Sequence, residues 1–86
     1  MKLEFDPKKS EANRFKHGID FVEAQALWGD PDRLQVSAQT KGELRLMLIG
    51  RIGDKHWSAI FTIRDDQARI ISVRRSRTKE VERYEE

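Results

Sequence analysis

Phe61-Thr-Ile-Arg-Asp-Asp-Gln-Ala-Arg-Ile-Ile-Ser-Val-Arg-Arg-Ser-Arg-Thr-Lys79 reads as a β-hairpin whose second strand runs out into arginines. Its register decides which side chains reach the core. A loop of two or four residues puts Arg69 on the face of Arg64 and Ile71 on the face of Thr62, and turns Ser72 and Arg74 inward. A loop of three, as in a type I turn with a bulge, puts Thr62 and Ser72, and Ile60 and Arg74, on one face. A one-residue slip inverts the whole set. An unpaired guanidinium in an apolar core is costly, so the three-residue loop is expected. It puts Thr62, Arg64, Ser72 and Arg74 on one polar face, and Ile71 and Val73 on the core side with Trp57, Phe61 and Ile63. Arg69 and Arg75 then point elsewhere.

The charge of this stretch is as telling as its pattern. From Arg64 to Lys79 there are six Lys/Arg against two acids, whereas residues 1–30 carry five against six. Basic charge is gathered at one end of a small sheet. Guanidinium forks match phosphate oxygens, and a strand can aim them. A polyanion, RNA or DNA, is the implied partner.

Working outward, two further strands precede the hairpin partner. Leu44 to Ile52 and His56 to Arg64 alternate apolar and polar residues, with Gly53-Asp54-Lys55 closing the turn between them. Leu34 to Ala38 is another strand, and Gln39–Glu43 a turn. Leu3-Glu4-Phe5 is a short N-terminal strand. Asp6-Pro7 supplies an N-cap and a first helical proline. The helix from Lys8 to His17 sets Ala12 and Phe15 on one side, and Gly18 is its left-handed cap. Asp20 with Glu23 opens a second helix as a capping box. Phe21, Ala24 and Trp28 form its stripe, with Leu27 beside it, and Gly29-Asp30-Pro31 stops it. Thr78 caps a short last helix through Tyr84. The result is an α+β domain spanning residues 1–86: two leading helices, a four-stranded antiparallel meander plus the short first strand, and a short C-terminal helix. All three helices are expected on one face.

Composition narrows the function classes. At 86 residues with no cysteine, disulfides and thiolate metal sites are excluded. Met1–Asp6 lacks the apolar core of a signal peptide, and no apolar run approaches a membrane span. A cytoplasmic protein with no membrane partner is expected. Catalytic carboxylate pairs, metal-ligand spacing, a Gly-rich phosphate loop and a nucleophilic triad are all missing, so no cofactor or metal is expected.

Motifs along the chain resemble one family. Phe5-Asp-Pro-Lys-Lys, Asn13 and Lys16-His-Gly-Ile-Asp-Phe-Val-Glu-Ala24 look like the opening signature of BrnT-type toxins. Asp30-Pro31, Glu43-Leu-Arg45, Ile49-Gly50, Phe61-Thr62, Arg64, Arg69-Ile-Ile-Ser-Val-Arg-Arg75, Lys79-Glu80 and Tyr84-Glu85 look like its later ones. One departure is Val73, where an Ala commonly follows the Ser. The resemblance implies a RelE-like fold and a ribonuclease toxin of a type II toxin–antitoxin pair. It also implies a neighbouring BrnA-type antitoxin, a small DNA-binding repressor of ribbon-helix-helix pattern, and a hetero-oligomer with it.

Metal-independent RNA cleavage needs a base for the 2′-OH, cations for the phosphorane and an acid for the leaving 5′-oxygen. The 2′-OH confines the reaction to RNA. Arg64 and Arg74 are the candidate phosphate binders; the alternative is solvated strand-end arginines, or pairs with Asp65 or Glu80. Lys16 and His17 are the candidates for proton transfer, or else complement the helix C-terminus. Arg75 and Arg77 are candidate RNA contacts, and Thr62 and Ser72 candidate orienting hydroxyls. His56 reads as surface, and Tyr84 as packing or a base contact. The rival reading is a non-catalytic nucleic-acid-binding or partner-docking module using the same basic edge.

Overall fold

A computed structural model of the chain describes residues 2–38, 42 and 44–86, so the expected Gln39–Glu43 turn, Gly42 apart, lies outside the described residues. The strands are β1 (Lys2–Glu4), β2 (Leu34–Ala38), β3 (Arg45–Ile52), β4 (Lys55–Arg64) and β5 (Gln67–Arg75); the helices are α1 (Pro7–His17), α2 (Phe21–Ala24) and α3 (Thr78–Glu85). The sheet has the order β1-β5-β4-β3-β2. Strands β2 to β5 form the expected antiparallel meander, and β1 adds parallel to β5.

The helix ends follow from local chemistry. The Asp6 side chain accepts from the Lys8 amide with Pro7 opening α1, and Gly18 closes it at φ 81°. Asp20 and Glu23 form the capping box of α2. That helix lasts one turn and tightens into a 3₁₀ segment, Gln25–Gly29. At three residues per turn the buried stripe becomes Phe21, Ala24 and Leu27, while Trp28 sits half out. Trp28 still meets Phe61 edge-on at 5.3 Å.

The last hairpin corrects the expected register. Its loop is two residues, Asp65 and Asp66, both at positive φ (52° and 63°), so β5 starts at Gln67 opposite Arg64. Asp tolerates this left-handed turn, whose twist suits a hairpin. Thr62 therefore faces Arg69, and Ile60 faces Ser72. The pairing shifts between Ile60 and Phe61, leaving Ile71 as an extra residue on β5. This bulge restores the parity: Val73 pairs with Ala59 and is buried, and Arg74 pairs with Ser58 on the other face. The desolvation cost of the guanidinium is avoided by a bulge within the strand, not by a longer loop. Arg69, expected elsewhere, shares the face of Thr62, and Ile71 is only half-buried.

The main core lies on the side of α1 and α2. Ile19, Phe21, Ala24 and Leu27 meet Leu48, Trp57, Ala59, Phe61, Ala68, Ile70 and Val73 there. At Gly50 an added Cβ would stand 3.1 Å from Leu27, so the 3₁₀ segment packs directly on β3. The third helix departs from expectation and packs on the opposite face. Glu80 bonds Ser58 and Arg74 there, and Tyr84 meets His56 edge-on at 5.1 Å. Thr78 is its first helical residue, and Arg77 the N-cap.

One polar side chain joins α1 to the sheet. Strand β1 pairs with β5 only as far as Arg69, so the edge beyond has no neighbouring strand. Asn13, buried in α1, fills that place. Its Oδ1 accepts from the Val73 amide at 3.1 Å, and its Nδ2 donates to the carbonyls of Val73 (2.9 Å) and Ile19 (2.8 Å). The carboxamide imitates a strand residue. Ser10, the other buried residue of α1, accepts from the Phe21 amide at 2.9 Å. Replacing Asn13 by Ala strands three buried backbone groups, an expected loss of about 3 kcal/mol in chemical denaturation. An unchanged unfolding midpoint would refute this role for Asn13.

Candidate functional site

The edge that Asn13 completes also forms a cleft. It has a volume of about 210 Å³ and is lined by Lys9, Ala12, Asn13, Lys16, His17, Ile71 and Ser72. The last two turns of α1 and the bulge of β5 thus bring Lys16, His17 and Ser72 together. Lys9 joins them because it precedes Lys16 by seven residues, two helical turns. Lys16 is exposed, while His17 and Ser72 are half-buried. The cleft combines two ammonium groups, an imidazole and a hydroxyl, a set suited to holding an anion and moving a proton beside it.

Arg74 lies two residues beyond Ser72 on the same face of β5, about 7 Å along the strand. Its guanidinium grips Glu80 with both terminal nitrogens at 2.8 Å, Nη1 to Oε1 and Nη2 to Oε2. Nη1 also reaches the Arg75 carbonyl at 3.2 Å, and Nη2 the Met47 sulfur at 3.9 Å. With four N–H groups so directed, Nε–H remains available. Glu80 is the hub of this network. Its Oε1 also accepts from the Ser58 hydroxyl and the Arg77 amide, each at 2.8 Å. The single O–H of Ser58 is directed at Glu80, so the Ser76 hydroxyl donates to Ser58 at 2.8 Å. The pairing of Arg74 with Glu80 named in the sequence reading is therefore present.

The other candidate residues are spread more widely. Ser58 faces Arg74 and stands six residues from Arg64 on β4, so the two arginines lie about 20 Å apart along the sheet. Thr62 is only 5% exposed, and its hydroxyl donates to the Leu44 carbonyl at 3.1 Å, so that hydroxyl is engaged within the protein. Arg75 stands on the core side of β5, its guanidinium 5.5 Å from the Trp57 ring, and remains exposed beyond it. Arg77 is exposed at the start of α3. His56 is half-buried, not surface, and the Tyr84 hydroxyl donates to Asp30 at 2.8 Å. Among the described residues no three His, Asp or Glu side chains gather where they could hold a metal ion. Nor is any helix long and apolar enough to cross a membrane.

Sequence reasoning missed Lys9 and Ser58. The i, i+7 spacing of Lys9 and Lys16 was a usable signal; nothing marked Ser58, which is wholly buried beneath the Arg74–Glu80 pair.

The Glu80 carboxyl is held well below the usual range, at about 2, chiefly by the Arg74 guanidinium. Burial opposes this, and the Arg77 amide and Ser58 hydroxyl assist it. The same pairing raises the Arg74 guanidinium further above its ordinary value. Because the folded carboxyl is depressed, its contribution to stability is present above its unfolded value, near 4.5, and is lost as pH falls toward 2. The pair is partly solvated, which reduces the contribution to on the order of 2 kcal/mol. Wild type is therefore expected to lose stability between pH 4.5 and 2 by more than Glu80→Gln does. Parallel losses for the two proteins in acid denaturation would refute the assignment.

Residues 5–80 match the family described as ribonuclease toxin, BrnT, of type II toxin-antitoxin system. A comparison with curated proteins finds no match. The chain belongs to the BrnT family, ribonuclease toxins of type II toxin–antitoxin systems, with RNA as substrate and a cognate antitoxin as partner.

Proposed function

We propose that this chain is an endoribonuclease that cleaves RNA without metal at the cleft between α1 and β5. The observation that carries the reading is the meeting of Lys9, Lys16, His17 and Ser72 in one cleft, with Arg74 two residues further along β5. In the reaction a 2′-oxygen loses its proton and attacks the adjacent phosphorus. The P–O5′ bond breaks, and the leaving oxygen takes a proton, giving a 2′,3′-cyclic phosphate and a 5′-hydroxyl. His17 is the group suited to proton transfer, with Lys16 beside it. The ammonium groups of Lys9 and Lys16 offset the charge that grows on the phosphorane, so that side chains supply the cations. Ser72 orients a phosphate oxygen. Arg74, immobilised by Glu80, offers Nε–H at the end of this row, and its place is fixed before substrate arrives. Arg64, Arg75 and Arg77 contact more distant phosphates as electrostatic guides.

The antitoxin of this reading is a BrnA-type protein, DNA-binding through a ribbon-helix-helix unit, that forms a hetero-oligomer with the toxin in the cytoplasm. Covering the α1–β5 edge is the simplest inhibition, since it masks the cations and the cleft together.

Purified chain incubated with RNA in excess EDTA should yield cyclic-phosphate ends. Binding without cleavage at any concentration would leave only a nucleic-acid-binding module. His17→Ala should lower kcat about a hundredfold with an unchanged melting temperature, and Lys16→Ala should follow it. Arg74→Ala leaves Glu80 unpaired and should lower both stability and activity, whereas Arg64→Ala should raise KM and spare kcat. Equal activity of the His17, Lys16 and wild-type proteins would remove the cleft from the chemistry. The antitoxin, added in equimolar amount, should abolish cleavage and protect Lys9 and Lys16 from amine labelling; inhibition with both lysines still labelled would place it elsewhere.

A further inference from the structure

Six of the seven aromatic side chains have packing partners. Phe5 meets Phe21 edge-on at 5.7 Å, Trp28 meets Phe61, Tyr84 meets His56, and Trp57 is buried beneath Arg75. Phe15 is the exception, 95% exposed in the last turn of α1. Its surroundings are cationic. Lys8, Lys9, Lys16 and Arg14, the last 3.7 Å from Asp20, share α1 with one acid, Glu11. Lys8 lies two turns before Phe15 on nearly the same line, and Ala12 lies one turn before it. A helical side chain leans over the turn N-terminal to its own Cα, so the Phe15 ring leans over Glu11 and Ala12. Ala12 also lines the cleft that holds Lys9, Lys16, His17 and Ser72. One small residue thus separates the ring from the cleft.

A helix that docks in a protein groove presents apolar residues at i±3 and i±4. Around Phe15 those positions are Glu11, Ala12, Gly18 and the buried Ile19, which give no apolar stripe. A lone π-face among cations is the arrangement used for unpaired bases, where the ring stacks and the cations hold the backbone. We propose that Phe15 stacks on a base of single-stranded RNA next to the nucleotide held in the cleft. The inference rests on the RNA-cleaving reading of that cleft, and it makes unpaired RNA the preferred substrate class. An A-form duplex keeps its base faces stacked away from the ring.

The test measures affinity by fluorescence anisotropy, using a single-stranded oligoribonucleotide made uncleavable by 2′-deoxy substitution. Wild type, Phe15→Ala, Phe15→Leu and Phe15→Trp are compared, with circular dichroism to verify folding. The Ala and Leu variants should bind roughly 5- to 100-fold more weakly, and Trp as well as wild type. The same sequence as a duplex should bind wild type and Phe15→Ala alike. Equal affinity of all four proteins for the single strand overturns the proposal. Leu binding like Phe overturns it too, since apolar contact alone would then suffice. Weakened antitoxin binding with unaltered RNA binding would assign Phe15 to a protein interface. Cleavage of the unsubstituted strand is scored separately. Phe15-dependent binding by a wild type that does not cleave keeps the stacking and removes the catalytic reading; cleavage with no Phe15 dependence does the reverse.

Discussion

The two-way bond between the Asn13 carboxamide and the Val73 backbone ties the two halves of the chain together. Strand β5 carries β1 on only part of its edge, and beyond Arg69 its amides and carbonyls would face nothing from the sheet. A backbone group buried without a partner costs about 1–3 kcal/mol, so the edge must be completed. A helix cannot complete it with its own backbone, which is already bonded along the axis. A carboxamide can, because it carries one donor and one acceptor group side by side. Once Asn13 is fixed at Val73, the residues one turn away on either side, Lys9 and Lys16 with His17, must lie against Ile71 and Ser72. The geometry of the cleft follows from that single attachment.

The opposite face of the sheet is organised by a charge pair. Glu80 gathers Arg74, Ser58 and the Arg77 amide, and so seats α3 over the far end of β4 and β5. Buried ion pairs seldom add much net stability, but losing one partner is expensive. The arrangement therefore specifies where α3 lies more than it strengthens the fold. Ile49 is fully buried yet stands apart from the main core, and it faces the same side as Ser58, its partner in register.

Much of this was legible in the sequence because it rests on local rules. Asp6-Pro7, Gly18 and the Asp20–Glu23 pair mark helix ends with residues whose chemistry is specific to those positions. The β3 and β4 strands show their alternation openly. What escaped reading was of two kinds. A bulge leaves no composition signal, so Ile71 silently shifted the parity of β5 and the loop length was misjudged. The side on which α3 packs was equally silent, because Val81 and Tyr84 give it an apolar side without saying which face of the sheet receives it. Of the site, Lys16, His17 and Ser72 were named and do meet, since a helix end and a strand edge are predictable partners. Arg64 and Arg74 were joined by charge and by a shared face of the sheet; they do share that face, but the length of β4 separates them.

The cleft is made from residues 9–17 on one side and 71–72 on the other. During synthesis the first half leaves the ribosome long before the second, and α1 has no edge to bind until β5 exists. The attachment of Asn13 to Val73 spans sixty residues, so it cannot form until most of the chain has been made. A nascent chain that has made α1 to β4 still holds no cleft. Any activity housed in the cleft therefore waits on the last strand.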